Sequence, residues 1–308
     1  MKLKNILVVV LIVFVFLAFF TNAKQIKFTL EDSLIFTINN VIFSIFPFMV
    51  LSSFLINSYI IEKQLNFTNF KQLNKFGICK IYLSSILLGS ISGFVTGAKC
   101  IKELYIKNYT DKISFTNAIV LSSNAGIGFV IVCVGMKIWN SITYGILLYL
   151  FQIIISLLIG KFILPTIRND YEYNFNKKND YIKSFSDAVS TSSQNIILII
   201  AFIATFSVLI TVIVSLFPSS VRDTISSLLY ILMEFCNGSF QSVSFSNTYL
   251  CAFLSGFTIG FGGLCVHFQI FSVCNGLPLN KKIFFLAKLL HGILLGIVSI
   301  LLIRIINI

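Results

Sequence analysis

The stretch Gly256 to Gln269 reads GFTIGFGGLCVHFQ and places four glycines, His267 and Gln269 where a lipid-facing helix would carry leucine and isoleucine. In hydrocarbon every backbone amide must be satisfied internally, so a glycine-dense polar interruption of a membrane segment belongs where protein or a wet cavity surrounds it. Gly262 and Gly263 would let backbone approach a ligand, and His267 and Gln269 would bond a solute, exchange a proton or satisfy a neighbouring helix. Glu234, in ILMEFCNGS with Asn237 and Gly238, is the acid set deepest in apolar surroundings in the second half. A lone carboxylate there must be paired, hydrated or protonated, which fits a binding site or a buried structural hydrogen bond. In the first half, SISGFVTGAK (Ser90 to Lys99) and SSNAGIG (Ser122 to Gly128) are comparable interruptions. Asn124 and Gly126 offer an amide beside exposed backbone, and Lys99 either pairs with Glu103 at i,i+4 or attracts an anion. Lys288 and His291, near the start of the last apolar run, read as snorkelling or interfacial groups.

These residues sit in a chain of 308 residues that is 57% hydrophobic and 11% charged. Apolar runs recur from end to end, so the expected class is an all-α, polytopic membrane protein. A soluble domain of this size would need more charge to cover its surface. The net charge of +12 comes from lysines scattered over short loops, which fits membrane orientation and not nucleic-acid binding. The seven cysteines form no CxxC pair and read as reduced packing residues, neither a disulfide frame nor a metal site. No GxSxG, HExxH, P-loop or Rossmann pattern is present, and no cofactor is implied.

The elements that must position the interruptions follow in order. Ile6 to Phe20 is an apolar run after a basic start, shorter than the roughly 20 residues of a full span. It reads as an uncleaved first helix, with a signal peptide ending near Thr21-Asn22-Ala23 as the alternative, and Lys24 to Asp32 as an external loop. Leu34 to Ile61 is a span with a kink at Pro47, and its Asn39 and Asn40 serve helix packing or line a site. Ile81 to Lys99 is a hairpin candidate, Ile113 to Val134 a broken span and Ile142 to Leu164 a continuous one. After the charged linker 166–185 the plan repeats, with Ala188 to Phe217 a span, Thr224 to Ser244 a hairpin, Thr248 to Cys274 a broken span and Ile283 to Ile306 the last helix. If both hairpins are re-entrant, seven membrane helices result, and residues 33–165 and 186–308 form two inverted repeats after an N-terminal unit of residues 1–32. All lysines and arginines except Lys24, Lys27, Lys137, Arg222 and Arg304 then lie in or beside inside loops, and that bias favours this topology.

ILMEFCNGS (Ile231 to Ser239), GFGGLCVHFQ (Gly260 to Gln269) and FFLAKLLHGIL (Phe284 to Leu294) resemble, in that order and spacing, the C-terminal motifs of the YlbJ family of sporulation integral membrane proteins. SGFVTGAK (Ser92 to Lys99) and NAGIGF (Asn124 to Phe129) resemble the family's SGYPxGAK and NAGP-type motifs, with Val95 and Ile127 where proline is frequent. The resemblance runs from about residue 35 to the end. It implies a gate domain of the kind named for nucleoside and iron transporters, in a bacterial cell membrane, multi-pass, with a role in building the spore envelope or cortex. The expected function is therefore transporter-like. Lys99, Asn124, Gly126, Glu234, Asn237, Gly262, Gly263, His267 and Gln269 would surround a small polar or anionic solute at the midplane. Two alternatives stand beside it: a non-transporting scaffold that recruits spore-envelope proteins, and an intramembrane transferase using Glu234 or His267. The lipid bilayer is the expected environment and further copies of the chain are candidate partners.

Overall fold

The computed structural model describes residue 13 and residues 19–58, 80–162 and 180–307. Every regular element among them is helical. Helix α1 (Ala23–Phe36) runs through a π-helical segment, Thr37–Ile42, into α2 (Phe43–Asn57). Then come α3 (Lys80–Ser92), α4 (Phe94–Ile106), α5 (Lys112–Ser122), a second π-helical segment at Phe129–Ile138, and α6 (Ile142–Phe162). The second half holds α7 (Tyr181–Ser215), α8 (Arg222–Met233), α9 (Phe235–Gln241), α10 (Thr248–Phe261), α11 (Gly263–Val273) and α12 (Lys281–Ile306).

Short polar residues mark the helix starts that leave the loops. The side chains of Asp111, Asp180, Asn247 and Asn280 each accept a bond from a backbone N–H of the first turn, satisfying donors that a helix start otherwise orphans. Between the caps long apolar stretches run through the helices, and packing against other helices fixes the segments. Among the described residues five helices are long and apolar enough to cross a membrane: Ala23–Leu55, Ile142–Phe162, Tyr181–Ser215, Thr248–Val273 and Lys281–Ile306. The chain is a multi-pass membrane protein. The expected span Ile113 to Val134 is split between α5 and the π-helical segment.

Two boundaries differ from the sequence expectation. Lys24 to Asp32 is helix α1 and not a loop, continuous with α2 in a run of 33 residues. At 1.5 Å per residue that run is ~50 Å long, well beyond a hydrocarbon core, so its charged turns can stand clear of lipid. There Lys27 and Glu31 pair at 3.6 Å, both well exposed. Helix α7 likewise begins inside the expected linker, at Tyr181. Most of the apolar run Ile6 to Phe20, the loop after Ser58 and most of the linker lie outside the described residues.

Cross-contacts fix how the helices run. Along α1–α2 and α7, Thr29 meets Thr211 at 3.0 Å, Ser53 meets Ser192 at 3.4 Å and the Ser184 hydroxyl donates to Asn57 O at 3.1 Å. Falling numbers on one helix against rising ones on the other mean antiparallel packing. Helices α6 and α12 are antiparallel in the same way: Tyr144 meets Ser299 at 2.6 Å near one end, while Gln152 lies beside His291 further along.

Candidate functional site

Four helix interruptions, two in each half, come together inside this frame. The first lies between α3 and α4 at Gly93, whose φ of +105° is open to glycine and costly for other residues. The helices fold back there: Tyr82 near the start of α3 hydrogen-bonds Thr110 just past α4. Gly89 and Gly97, four residues to either side of the pivot, face each other so closely that a Cβ on Gly97 would lie 3.1 Å from the Gly89 Cα and 2.0 Å from Ser122 O. The second interruption, at Glu234, has the same plan. Ser227, midway along α8, donates to Gln241 Oε1 at the end of α9 at 3.0 Å, and Gly238 packs on the backbone of Tyr230 and Ile231.

The third interruption, Ser123 to Gly126, follows α5, and the fourth, Gly262, joins α10 to α11 with φ +79°. Each broken span presses its gap against a folded pair. A Cβ on Gly126 would meet Ser92 C and Gly93 N at 3.1 and 3.2 Å. One on Gly263 would meet Phe235 N at 3.1 Å. The folded pairs in turn touch each other through Phe94 and Phe235, the residues that follow each pivot, whose rings meet edge to face at 5.3 Å.

A cavity of about 50 Å³ lies at this meeting point, lined by residues of the first three gaps and by α11 just beyond the fourth, among them Ser92, Gly126, Glu234, Cys236, Cys265 and Gln269. That volume holds ~3 water molecules. Of the residues singled out in the sequence, Gly126, Glu234 and Gln269 line it. Glu234 is fully buried and caps α9: Oε1 accepts from Cys236 N at 2.7 Å, and Oε2 from Asn237 N at 2.7 Å and Asn237 Nδ2 at 2.8 Å. Backbone donors at a helix start thus supply the compensation a buried carboxylate needs. Oε2 is saturated, whereas Oε1 keeps room for one more donor. Gln269 Nε2 lies 3.5 Å from Cys265 Sγ, a weak acceptor.

The other expected residues stand around the cavity without lining it. Asn237 holds Glu234, Gly263 seats the fourth gap on the second, and Gly262 lies against the Phe94 ring. Lys99 donates to Asn195 Oδ1 of α7. His267 Nδ1 lies 2.7 Å from Gly263 O, and its ring sits among Phe261, Phe284 and Phe285 with centroids 4.8 to 5.4 Å away.

Asn124 belongs to a polar cluster that closes the third gap. Its Nδ2 donates to Leu121 O at 2.8 Å, and Gln152 Nε2 of α6 donates to Ala125 O at 2.8 Å. Lys288 of α12 donates to Ser123 O, with Asn124 Oδ1 at 3.4 Å. Lys288 and His291 are therefore not interfacial. Both are buried, because α12 starts against the body of the fold, where Asn280 N donates to Thr116 Oγ1 at 2.9 Å. Gln152 was not singled out in the sequence, although a lone amide within YLFQIII is the signal that finds intramembrane functional groups. The apolar lining, including Met49, Phe94, Phe129 and Ile203, carries no sequence signal of its own.

Comparison of the chain with protein-family models, with curated proteins and with solved structures finds no match.

Proposed function

We propose that this chain is a membrane carrier in which two inverted halves, each a re-entrant hairpin backed by a broken span and two unbroken helices, hold a small polar solute where their interruptions meet. The observation that carries this reading is the meeting of four non-helical backbone gaps, three of which line one cavity with a carboxylate in its wall. Irregular backbone at membrane depth is tolerated where it lines a cavity or is buried in protein, and discontinuous helices meeting between repeats are the usual build of a transporter site. The antiparallel pairing of α1–α2 with α7 and of α6 with α12 supports the inverted relation, since each pair joins elements in the same place of the two halves. With the first apolar run and the broken spans counted, the arrangement has seven membrane crossings.

The lining narrows the solute. Glu234 is the charged side chain in the wall, Oε1 has acceptor capacity left, and Lys99 is held by Asn195. A solute bearing hydrogen-bond donors fits this wall better than an anion. The resemblance to the YlbJ family would place the activity in spore formation, in a bacterial cell membrane.

The test is a thermal-unfolding screen of the full-length protein in lipid nanodiscs against small donor-bearing solutes, from ammonium and guanidinium to amino acids. A binder at about 100 times its Kd stabilises the folded state by ~2.7 kcal/mol. The expected result is a solute that raises the Tm of the wild type, leaves a folded Glu234→Gln variant unchanged and is taken up by proteoliposomes. Equal stabilisation of wild type and Glu234→Gln would move binding away from this cavity.

A further inference from the structure

We propose that Lys288 is a second, proton-binding site of this protein: its ammonium holds the gap between α5 and the Phe129–Ile138 segment by a charge-assisted bond, and its neutral amine holds it more weakly. The gap leaves carbonyls at the end of α5 and within the gap itself without helical partners, and in a membrane each must find another donor. Leu121 O takes Asn124 Nδ2, Ala125 O takes Gln152 Nε2, and Ser123 O takes Lys288 Nζ. Two of these three donors are neutral amides. The third is a fully buried ammonium with no carboxylate within ion-pairing distance among the described residues. Its other neighbours are Asn124 Oδ1 at 3.4 Å and the face of the Phe94 ring, whose centroid is 5.8 Å away. A permanent cap needs no charge, as Gln152 shows two residues on. A lysine in that place adds an amine able to exist with or without its charge.

The surroundings suit both forms. The Ser123 hydroxyl is buried without a partner, and so is Nε2 of His291, one turn further along α12. An amine that has given up its proton can accept from such a hydroxyl, which an ammonium cannot. In the step itself one N–H bond of the ammonium breaks, the electron pair stays on Nζ and the proton passes to water; reprotonation reverses it. The exit lies toward the cavity, since the Phe94 ring that covers Lys288 also lines that cavity. The titratable neighbours are His291 on the same helix and His267 from α11, whose Nε2 is also buried and unpartnered. The gap after α5 brings Ser123 and Asn124, α6 brings Gln152, and α10 meets α12 through Gly260, Phe257 and Phe261, so none of these three adds a charge here.

Coupling of this proton to solute movement rests on the carrier reading; the proton site itself does not, and it is tested without any solute. Full-length protein in nanodiscs is taken from about pH 5 to about pH 9, a range in which an ordinary solvent-exposed lysine stays charged, and the protons released per chain are counted. The wild type is expected to release one proton more than either Lys288→Met or Lys288→Arg. Equal counts would make Lys288 a fixed structural cap and overturn the proposal. Should neither variant fold, hydrogen–deuterium exchange of wild-type residues 121–128, normalised for intrinsic rate, decides. Loss of protection by about tenfold across the same interval supports the site, and unchanged protection refutes it.

Discussion

A carboxylate and an ammonium are both buried in this fold, and neither is neutralised by the other. Glu234 is satisfied by the start of its own helix and Lys288 by the end of another. The sequence makes Glu234 visible because an acid in an apolar run is rare and costly. Its partners were not legible, since two of the three are backbone N–H groups that exist only once α9 forms. Lys288 was misread for a physical reason: a lysine near the start of a membrane helix normally reaches the interface, and only the packing of that helix start against α5 removes the option. The close approach of Gly97 and Ser122 gives a direct test at this scale. A methyl group at residue 97 would lie 2.0 Å from a backbone oxygen that cannot yield without moving α5. Gly97→Ala is expected to destabilise the protein by about 3 kcal/mol, in the range of overpacked cores. Gly276→Ala, with nothing within 4 Å but a φ of +75°, should cost ~1 kcal/mol. Thermal unfolding in detergent measures both, and equal effects would remove the close contact from the account.

At the level of elements, the interruptions were readable and their partners were not. Gly93, Gly126 and Gly262 break helices where the sequence places glycine-rich polar stretches, because a membrane helix has little other reason to lose Leu and Ile there. Which gap meets which depends on long-range packing. The charges of Lys24 to Asp32 resemble those of a loop, whereas a helix longer than the bilayer carries charge on its outer turns without strain. The pairing of that helix with α7 is testable by cross-linking. In a cysteine-depleted background, Thr29→Cys with Thr211→Cys and Ser53→Cys with Ser192→Cys should each form a disulfide on mild oxidation, whereas Thr29→Cys with Ser192→Cys should not. Formation of the mismatched pair alone would mean that the two helices run parallel.

For the whole molecule, one end of the helix bundle gathers Asn57, Ser184, Lys102, Val273, Thr116 and Asn280, joined by cross-element hydrogen bonds. The other gathers Thr29, Thr211, Tyr144, Ser299, Trp139 and Ser255. The cavity lies between the ends and is walled by both halves, so its access depends on which surface each loop meets. The carrier reading stands on that sidedness. Single-cysteine accessibility in intact membranes measures it directly, with Lys107→Cys, Lys281→Cys and Arg222→Cys each placed in a cysteine-depleted chain. Labelling of positions 107 and 281 from the inner face and of 222 from the outer face is the predicted result. Positions 107 and 281 on opposite faces would mean that the α3–α4 pair crosses the membrane, and the two halves would then not be inverted repeats around a shared site.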